Sequence, residues 1–416
     1  MSEGKHRANR VIRGGHTPLE RLFTLLGGRH ALYALIERGL TAGSAELILP
    51  DGRMERFTGG ADGPAARIEI LDWRALPRMA TGGALGFARS YIDGDWRTDD
   101  LAAVTELASV NRQRMAHGLR GGALAQTFDR LRHLLRANTR RRARDNIQYH
   151  YDLGNDFYAA WLDGTMTYSA ALFADGDNSL EAAQERKYRS LLDSLNVAPG
   201  DRVLEIGAGW GGFAEIAARD YGAQVVGLTL SPEQKAYADA RIEKAGLSDR
   251  VTFKLQDYRD ETGSYDRVAS IEMFEAVGER YWPSYFETIR RVLHPGGRAG
   301  LQIITIDEAL FPAYRKSVDF IQTYIFPGGM LPSLPALEHE VARAGLVWRD
   351  MTAFGPSYAE TLAVWRDRFN TAFDGGLLPH GFDETFRRLW NFYLAYCEGA
   401  FRGGSTDVVQ ISLENG

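Results

Sequence analysis

The run VLEIGAGWGG at residues 203–212 constrains the fold of this chain more than any other feature. An aliphatic run carries the acidic Glu205 near its end, and glycines then follow at alternate positions, Gly207, Gly209 and Gly211. Glycines at this spacing let a buried parallel strand turn tightly into a helix with a nucleoside held against the turn. The spacing E-x-G-x-G-x-G differs from the G-x-G-x-x-G of most dinucleotide sites, so it points away from a pyrophosphate on the helix N-terminus.

Strands and helices alternate regularly from this turn onward. Aliphatic runs of strand length, separated by segments with helical spacing, occur at 203–206, 224–229, 251–256, 265–271 and 298–306. This alternation predicts an α/β fold with a doubly wound, Rossmann-like parallel sheet. Ligands of such sheets bind at the carboxyl ends of the strands.

The chain before this sheet has a different pattern. Residues 1–16 are polar and basic, so we expect them to be disordered. Helical spacing and short strands at Asp-Gly and Gly-Gly turns predict a small α+β N-terminal domain at residues 17–128. The arginine-rich residues 129–145 form the expected linker helix to the α/β domain, residues 146–416.

Polar residues at the ends of the next two strands complete a cofactor site. No acid ends the second strand, so Thr229 and Gln234, with Leu230 in the same turn, are the candidates for ribose contacts. Gln256 and Asp257 end the third strand and suit the adenine amino group. Together with the glycine turn, these residues predict the binding of S-adenosylmethionine, as in class I methyltransferases.

A mixed aromatic and polar segment, residues 150–158, precedes the first strand and is followed by Tyr168 and Ser169. It is interpreted either as an ordinary capping helix or as a lid over the cofactor. In the second interpretation Tyr168 and Ser169 reach the methionine carboxylate, and ring faces stabilise positive charge.

Two acids, Glu272 and Glu275, come directly after the fourth strand, where a parallel sheet places its catalytic groups. One interpretation has one of them solvated and the other facing the site. The alternative is a helix-capping or salt-bridged pair.

Composition limits the classes of partner. The net charge of −5 gives no reason to expect a nucleic-acid partner. The single cysteine, Cys397, permits no intramolecular disulfide and fits a reducing, cytoplasmic compartment. The first 30 residues lack the apolar core of a signal peptide, and no apolar run is long enough to span a membrane.

Two further segments bear on a lipid partner. Leucines interleave with seven arginines in residues 129–145, which indicates either a solvated face or a basic amphipathic helix resting on an anionic membrane. Residues 308–337 form an apolar insertion, which lines an acyl tunnel in one interpretation and is plain core in the other.

The chain resembles the cyclopropane-fatty-acyl-phospholipid synthase family, which includes the mycolic-acid-modifying methyltransferases. Eight blocks carry the resemblance in order over about residues 146–405: HYDLGNDFY, MTYS, VLEIGAGWGGFAE, GLTLSPEQ, LQDYRD, MFEAVG, YIFPGGMLPS and WNFYLAYCEGAF. The N-terminal part matches more loosely, mainly at GFARSYIDGDW.

This resemblance implies methyl transfer to the double bond of an unsaturated acyl chain in a phospholipid, through a carbocation, by an enzyme at the inner face of the cell membrane. The base of the family is thought to be bicarbonate, held by a Glu, a Tyr, a His and a Cys. The Glu corresponds to Glu275 and the Tyr to Tyr358, whereas the Cys and His positions are Ala170 and Ile304 here. Cys397 matches a cysteine once proposed as a nucleophile, and its other interpretation is a packed apolar residue.

The missing Cys and His leave the product open. Loss of a proton from the new methyl group closes a cyclopropane ring, whereas other proton losses give a methyl-branched or methylene-bearing chain on which a partner reductase acts. A small-molecule methyltransferase and a non-catalytic lipid-binding homologue are the rival functions, and a homodimer is an open oligomeric state.

Overall fold

The structure is a computed structural model, and it describes residues 28–114, 153–174, 176 and 179–416. The segment expected to be disordered, residues 1–16, and the linker helix predicted at 129–145 lie outside these ranges. So do residues 115–128 of the predicted N-terminal domain.

The N-terminal part combines helices with a small mixed sheet, as the sequence predicts. Its elements are α1 (Gly28–Gly39), β1 (Ala42–Ile48), β2 (Met54–Thr58), β3 (Ala61–Ile70), α2 (Ala75–Ile92), β4 (Trp96–Arg97) and α3 (Leu101–Val110). The strand order is β2-β1-β3-β4, with β1 and β3 parallel and the other pairs antiparallel. Buried and half-buried residues alternate along β1, because one face of the sheet packs on the helices.

The second part contains a seven-stranded sheet flanked by helices. Its strands are β5 (Arg202–Ile206), β6 (Gln224–Thr229), β7 (Val251–Leu255), β8 (Tyr265–Ile271), β9 (Leu293–Ile306), β10 (Leu346–Ala353) and β11 (Thr406–Asn415). Its helices are α4 (Asn155–Ala159), α5 (Leu180–Ser194), α6 (Gly212–Tyr221), α7 (Pro232–Lys244), α8 (Trp282–Val292), α9 (Phe311–Tyr314), α10 (Phe320–Tyr324), α11 (Leu334–Arg343), α12 (Gly355–Asp374) and α13 (Glu384–Arg402).

The strand order β10-β11-β9-β8-β5-β6-β7 confirms the predicted doubly wound sheet. The strands from β9 to β7 are parallel, and β11 and β10 add an antiparallel pair at one edge. The chain order reverses between β5 and β8, and the carboxyl ends of strands at such a point form a crevice for ligands. The last parallel strand begins at Leu293 rather than at the predicted Arg298, because Leu293 already pairs with Tyr265.

One hydrophobic core joins the two parts of the molecule. It runs from β1 and β3 through Trp96 to Trp365 on α12 and Trp390 on α13, all of which are buried. The Thr105 hydroxyl on α3 donates to the carbonyl of Ala395 on α13 at 2.6 Å. The predicted N-terminal domain therefore shares its core with the α/β domain.

The predicted insertion, residues 308–337, folds as α9, α10 and the start of α11. Asp319 and Gln322 form a capping box at the start of α10, which satisfies the first backbone N–H groups of that helix. The Arg89 side chain on α2 donates to the Tyr324 hydroxyl at 2.5 Å, so the insertion also contacts the N-terminal part. None of the helices in the described ranges is both long and apolar enough to cross a membrane.

The contact between α3 and α13 makes a first prediction. A Cβ atom added to Gly399 would lie 2.3 Å from the Thr105 hydroxyl oxygen and 2.4 Å from the Glu106 backbone nitrogen. Gly399→Ala therefore forces the two helices apart, and we expect a loss of about 1–3 kcal/mol in the free energy of unfolding. Thermal unfolding followed by circular dichroism measures it.

Gly82→Ala on α2 is the matched control, because a Cβ atom there meets nothing within 4 Å. Gly82 lies outside the positive-φ region and precedes the kink of α2 at Gly83, so an alanine is accommodated there and this variant keeps the melting temperature. Equal melting temperatures for the two variants would show that the α3–α13 contact is not tightly packed.

Candidate active site

A cavity of about 340 Å³ lies at the carboxyl ends of the central strands. Twelve of the residues predicted for the site line it: Tyr168, Ser169, Glu205, Gly207, Gly209, Thr229, Leu230, Gln234, Gln256, Glu275, Tyr358 and Cys397. Gly211 and Asp257 were predicted with them but are not among the lining residues.

The glycine turn has the backbone that its sequence predicts. Gly207, Gly209 and Gly211 all have positive φ, at 89°, 51° and 83°, a region that glycine enters without steric cost. Gly211 serves packing instead of ligand contact, because a Cβ atom there would lie 3.0 Å from the Phe253 ring. The turn thus leaves bare backbone facing the cavity at the end of β5.

Glu205, near the end of β5, places a buried carboxyl group beside the glycine turn. It is 3% exposed, and its Oε2 has no hydrogen-bond partner among the described residues. Burial raises the pKa of this carboxyl well above its ordinary value, which Lys187 and Arg241 oppose. A buried acceptor beside a glycine turn fits a ligand with hydroxyl or ammonium donors, and S-adenosylmethionine carries both.

The next two strand ends differ in their roles. The Thr229 hydroxyl donates to the Gln234 side-chain oxygen at 3.1 Å, and both residues face the cavity as predicted. Gln256 also faces it, with its amide donating to Glu261 at 3.0 Å. Asp257 instead accepts two hydrogen bonds from the guanidinium of Arg259, at 2.8 and 2.5 Å, which explains its position off the cavity wall.

The aromatic segment before β5 packs tightly around the glycine turn. Tyr158 and Trp161 are each 1% exposed, and the Trp210 indole donates to the Asn155 side chain at 2.8 Å. This packing supports the capping-helix interpretation for the described residues of the segment. Residues 150–152 lie outside the described ranges.

Tyr168 and Ser169 form the next part of the wall. The Tyr168 and Tyr393 hydroxyls are 2.7 Å apart, and the Ser169 hydroxyl accepts a hydrogen bond from the Lys187 ammonium at 2.6 Å. Lys187 is fully buried, and burial lowers its pKa from 10.5 to about 7, which the charge of Glu272 opposes.

Glu272 and Glu275 both line the cavity, so the expectation that one of them is solvated was wrong. The Glu275 Oε1 accepts from the Ile304 backbone N–H at 2.5 Å, and its Oε2 has no partner among the described residues. Burial, followed by the charge of Glu272, raises the pKa of Glu275 to about 8. Glu275 is therefore a neutral acid at neutral pH.

Glu272 is held by three donors. Its Oε1 accepts from the Ala170 backbone N–H and the Gln302 amide, both at 2.8 Å, and its Oε2 accepts from the Tyr358 hydroxyl at 2.6 Å. The resemblance implies that Tyr358 and Glu275 both hold a bicarbonate, whereas the Tyr358 hydroxyl here donates to Glu272.

Cys397 lines the cavity as an uncharged group. Burial, followed by the charges of Asp319 and Glu272, raises the pKa of its thiol far above the ordinary value. A thiolate is the nucleophilic form of cysteine. This environment supports the packed interpretation of Cys397 over the nucleophilic one.

The residues around Glu272 do not fit a bound bicarbonate. Ala170 and Ile304 offer apolar side chains, and their backbone N–H groups already donate to the two glutamates. The Tyr358 hydroxyl is likewise taken by Glu272. An anion placed here would face two carboxyl groups instead of four donors.

Three functional positions were missed or left unassigned in the sequence: Lys187, Glu272 and Arg112. The sequence contained a signal for Lys187, since a charged residue at helical spacing from Ala183 and Leu191 lies on the buried face of α5. Glu272 was paired with Glu275 but given no role. Arg112 follows α3 and lines the cavity from the N-terminal part, and no local pattern indicates that long-range contact.

The chain matches the family described as mycolic acid cyclopropane synthetase over residues 138–411. It is 43% identical to the tuberculostearic acid methyltransferase UfaA1 of Mycobacterium tuberculosis, over 91% of this chain and 90% of that protein. It is 36% identical to the cyclopropane-fatty-acyl-phospholipid synthase of Escherichia coli, over 84% and 88%. The solved structure of mycolic acid cyclopropane synthase CmaA1 complexed with SAH and CTAB superposes with a TM-score of 0.61 at 31% identity, covering 65% of this chain and 98% of that one.

The raised pKa of Glu275 makes a prediction about stability. The folded protein holds this proton up to about pH 8, whereas the unfolded chain loses it near 4.5, so the stability that the proton contributes is lost as the pH rises through this window. The amide in Glu275→Gln does not titrate, so this variant does not lose stability in this way as the pH rises. We expect its melting temperature to match the native protein at about pH 5 and to exceed it at about pH 9.

Differential scanning fluorimetry across this range tests the expectation. Glu243→Gln, at an exposed position on α7, controls for the loss of a charge. A native protein and a Glu275→Gln variant with parallel profiles would show that Glu275 titrates as it does in the unfolded chain.

Proposed function

The chain belongs to the mycolic acid cyclopropane synthetase family and is an S-adenosylmethionine-dependent methyltransferase, and we propose that it methylates the double bond of an unsaturated acyl chain in a phospholipid. The cofactor supplies an electrophilic sulfonium methyl group. The cofactor would lie at the ends of β5 and β6, held by the glycine turn, Glu205 and the Thr229–Gln234 pair. An alkene is a poor nucleophile, so the protein has to fix the double bond close to the methyl group.

One observation carries this proposal: the cofactor side of the cavity continues into an apolar region. The apolar walls come from β9, the insertion and the two long helices, through Ile304, Ile306, Ile321, Phe326, Met330, Leu331, Leu362 and Phe401. An acyl chain matches such walls, whereas a small polar acceptor would leave them unfilled. The acyl-binding role of residues 308–337 is part of the proposal.

The same walls suit a cationic intermediate. Tyr168, Tyr358 and Tyr393 present aromatic rings to the cavity, and ring faces attract positive charge. Methyl transfer leaves the neighbouring acyl carbon short of an electron pair. Exclusion of water by the apolar walls protects this carbon until a proton is removed.

We propose further that the ring does not close. Closure requires a base at the new methyl group while the charge stays on the neighbouring carbon. Ala170 and Ile304 stand where the family has the Cys and His that hold its bicarbonate, so the proton acceptor here is not the anion that the family uses for closure. Migration of a hydride to the charged carbon, followed by proton loss from the methyl group, gives a methylene-bearing chain. The name of the relative UfaA1 refers to methylation and not to cyclopropane formation, which supports this outcome.

Arg112 supports a phospholipid over a neutral lipid. Its guanidinium lines the cavity beside the insertion, where it interacts with Tyr396 and Asp319. The Asp319 carboxylate already caps α10. A guanidinium has five N–H donors, and a phosphate accepts two of them side by side. We therefore place the phosphate of the substrate at Arg112.

A phospholipid substrate requires contact with a membrane surface. The predicted basic segment at residues 129–145 suits peripheral association with an anionic inner leaflet. A methylene product keeps a double bond, so a partner reductase would be needed to convert it to a saturated methyl branch.

Expression in a bacterial host without such enzymes tests the product. We expect phospholipid acyl chains that gain one CH2 group, as measured by mass spectrometry. The methylene chain and the cyclopropane chain have equal mass, so mild catalytic hydrogenation separates them. We expect the new chains to take up hydrogen and become methyl-branched. Chains that resist hydrogenation would show a ring instead.

The Arg112 assignment makes a separate prediction. Because a hydrogen bond to a charged group contributes about 1.5–3 kcal/mol, Arg112→Gln should raise the half-saturating concentration of dioleoylphosphatidylglycerol by about tenfold or more. Activity on dioleoylglycerol, which has no phosphate, should stay unchanged. Arg114→Gln, at an exposed position two residues further along the chain, is the control. An equal loss on both lipids would show that Arg112 supports the fold and not the phosphate.

A further inference from the structure

Glu272 has a backbone conformation that glutamate rarely adopts. Its φ is 48°, and the only other non-glycine residues with positive φ in the described ranges are Met166 and Asn196. Such conformations are unfavourable for a residue with a side chain and persist where the surroundings impose them. The strain brings the carboxylate of Glu272 to the point where β8 ends in the cavity.

The three donors of Glu272 come from separate segments. The Ala170 N–H belongs to the loop before α5, the Gln302 amide to β9 and the Tyr358 hydroxyl to α12. Ala170 and Tyr358 stand at two of the four positions where the family holds its bicarbonate. The carboxylate of Glu272 is therefore hydrogen-bonded to residues at two of those four positions.

We propose that the carboxylate of Glu272 replaces bicarbonate as the proton acceptor of the reaction. A carboxylate and a bicarbonate present the same pair of oxygen atoms to hydrogen-bond donors. Bicarbonate is an exchangeable anion, whereas Glu272 is covalently fixed. This inference rests on the proposed function, and it adds which group accepts the proton and that no external anion is needed.

The three hydrogen-bond donors and the Lys187 ammonium favour the ionised form of Glu272, which a base requires, against the opposing effect of burial. Burial raises its pKa, and the Tyr358 hydroxyl, the Lys187 charge and the Ala170 N–H oppose that rise. Three donors occupy three of about four acceptor positions on a carboxylate, which leaves one on Oε2 for a proton from the substrate. Glu275, with its pKa near 8, stays neutral beside it and adds no second negative charge at neutral pH.

The step balances without another reactant. A C–H bond of the cationic acyl chain breaks, and its electron pair forms the new carbon–carbon π bond. The proton forms an O–H bond with Oε2 of Glu272. The Tyr358 hydroxyl can then rotate away as the acid forms, and the proton leaves to solvent once the product has left the cavity.

Removal of the Glu272 side chain tests the proposal. Glu272→Gly suits the backbone, since glycine adopts a φ of 48° without strain, and it opens a space beside Ala170 and Tyr358. Turnover is measured as product lipid on dioleoylphosphatidylglycerol vesicles, in buffer depleted of bicarbonate and in buffer supplemented with it. We expect native turnover to be the same in both buffers.

Glu272→Gly should lose about 100-fold or more in depleted buffer, which is typical for loss of a general base. Added bicarbonate should restore part of this loss, because the anion can enter the vacated space. Glu272→Gln should be equally slow, but bicarbonate should not restore it, because the amide still fills the space. Cofactor affinity, measured by calorimetric titration, should stay near the native value in both variants and shows that they are folded.

Asn196→Gly is the matched control for relief of backbone strain. Its φ is 50°, and it lies after α5, away from the residues that line the cavity. Its turnover should equal that of the native enzyme in both buffers.

Two results would overturn the inference and leave the proposed function standing. One is native turnover that falls when bicarbonate is removed. The other is full turnover of Glu272→Gly in depleted buffer. A native enzyme that forms no methylated lipid in either buffer would overturn the proposed function itself and the inference with it.

Discussion

The hydrogen bonds to the buried carboxylate of Glu272 are the interaction on which the rest of the site depends. Removing a charge from water is costly unless donors satisfy it, so each donor must be held in place. The donors belong to the loop before α5, to β9 and to α12. One carboxylate therefore links the loop before α5, the sheet and α12, which together surround the cavity.

The polar and the apolar residues around the cavity have different roles. On the polar side, the fully buried Lys187 lies 4.1 Å from the centre of the Tyr188 ring and is attracted by Glu272, Asp163 and Glu205. This ammonium group opposes the effect of burial on the pKa values of Glu205 and Glu272. The cavity lining also includes Tyr168, Tyr358 and Tyr393, whose ring faces would attract the cation of the proposed reaction.

Local patterns predicted much of this molecule, and long-range contacts account for what they missed. The aliphatic runs gave β6 and β8 with their observed bounds, since burial on both faces leaves a continuous signal. The positive φ of the glycine turn likewise follows from residue type alone. The bond from Tyr358 to Glu272 spans 86 positions, and the bond from Thr105 to Ala395 spans 290. Such partners are chosen by tertiary packing, which a linear pattern does not contain.

The N-terminal part belongs to the site although it lies far from the glycine turn in sequence. Its helix α3 packs on α13 so closely that Gly399 leaves no room for a Cβ atom. The same helix α13 carries Tyr393, Tyr396 and Cys397 to the cavity. A displacement of α3 therefore moves the part of the cavity wall that α13 provides. The shared core thus couples the position of the N-terminal part to the shape of the cavity.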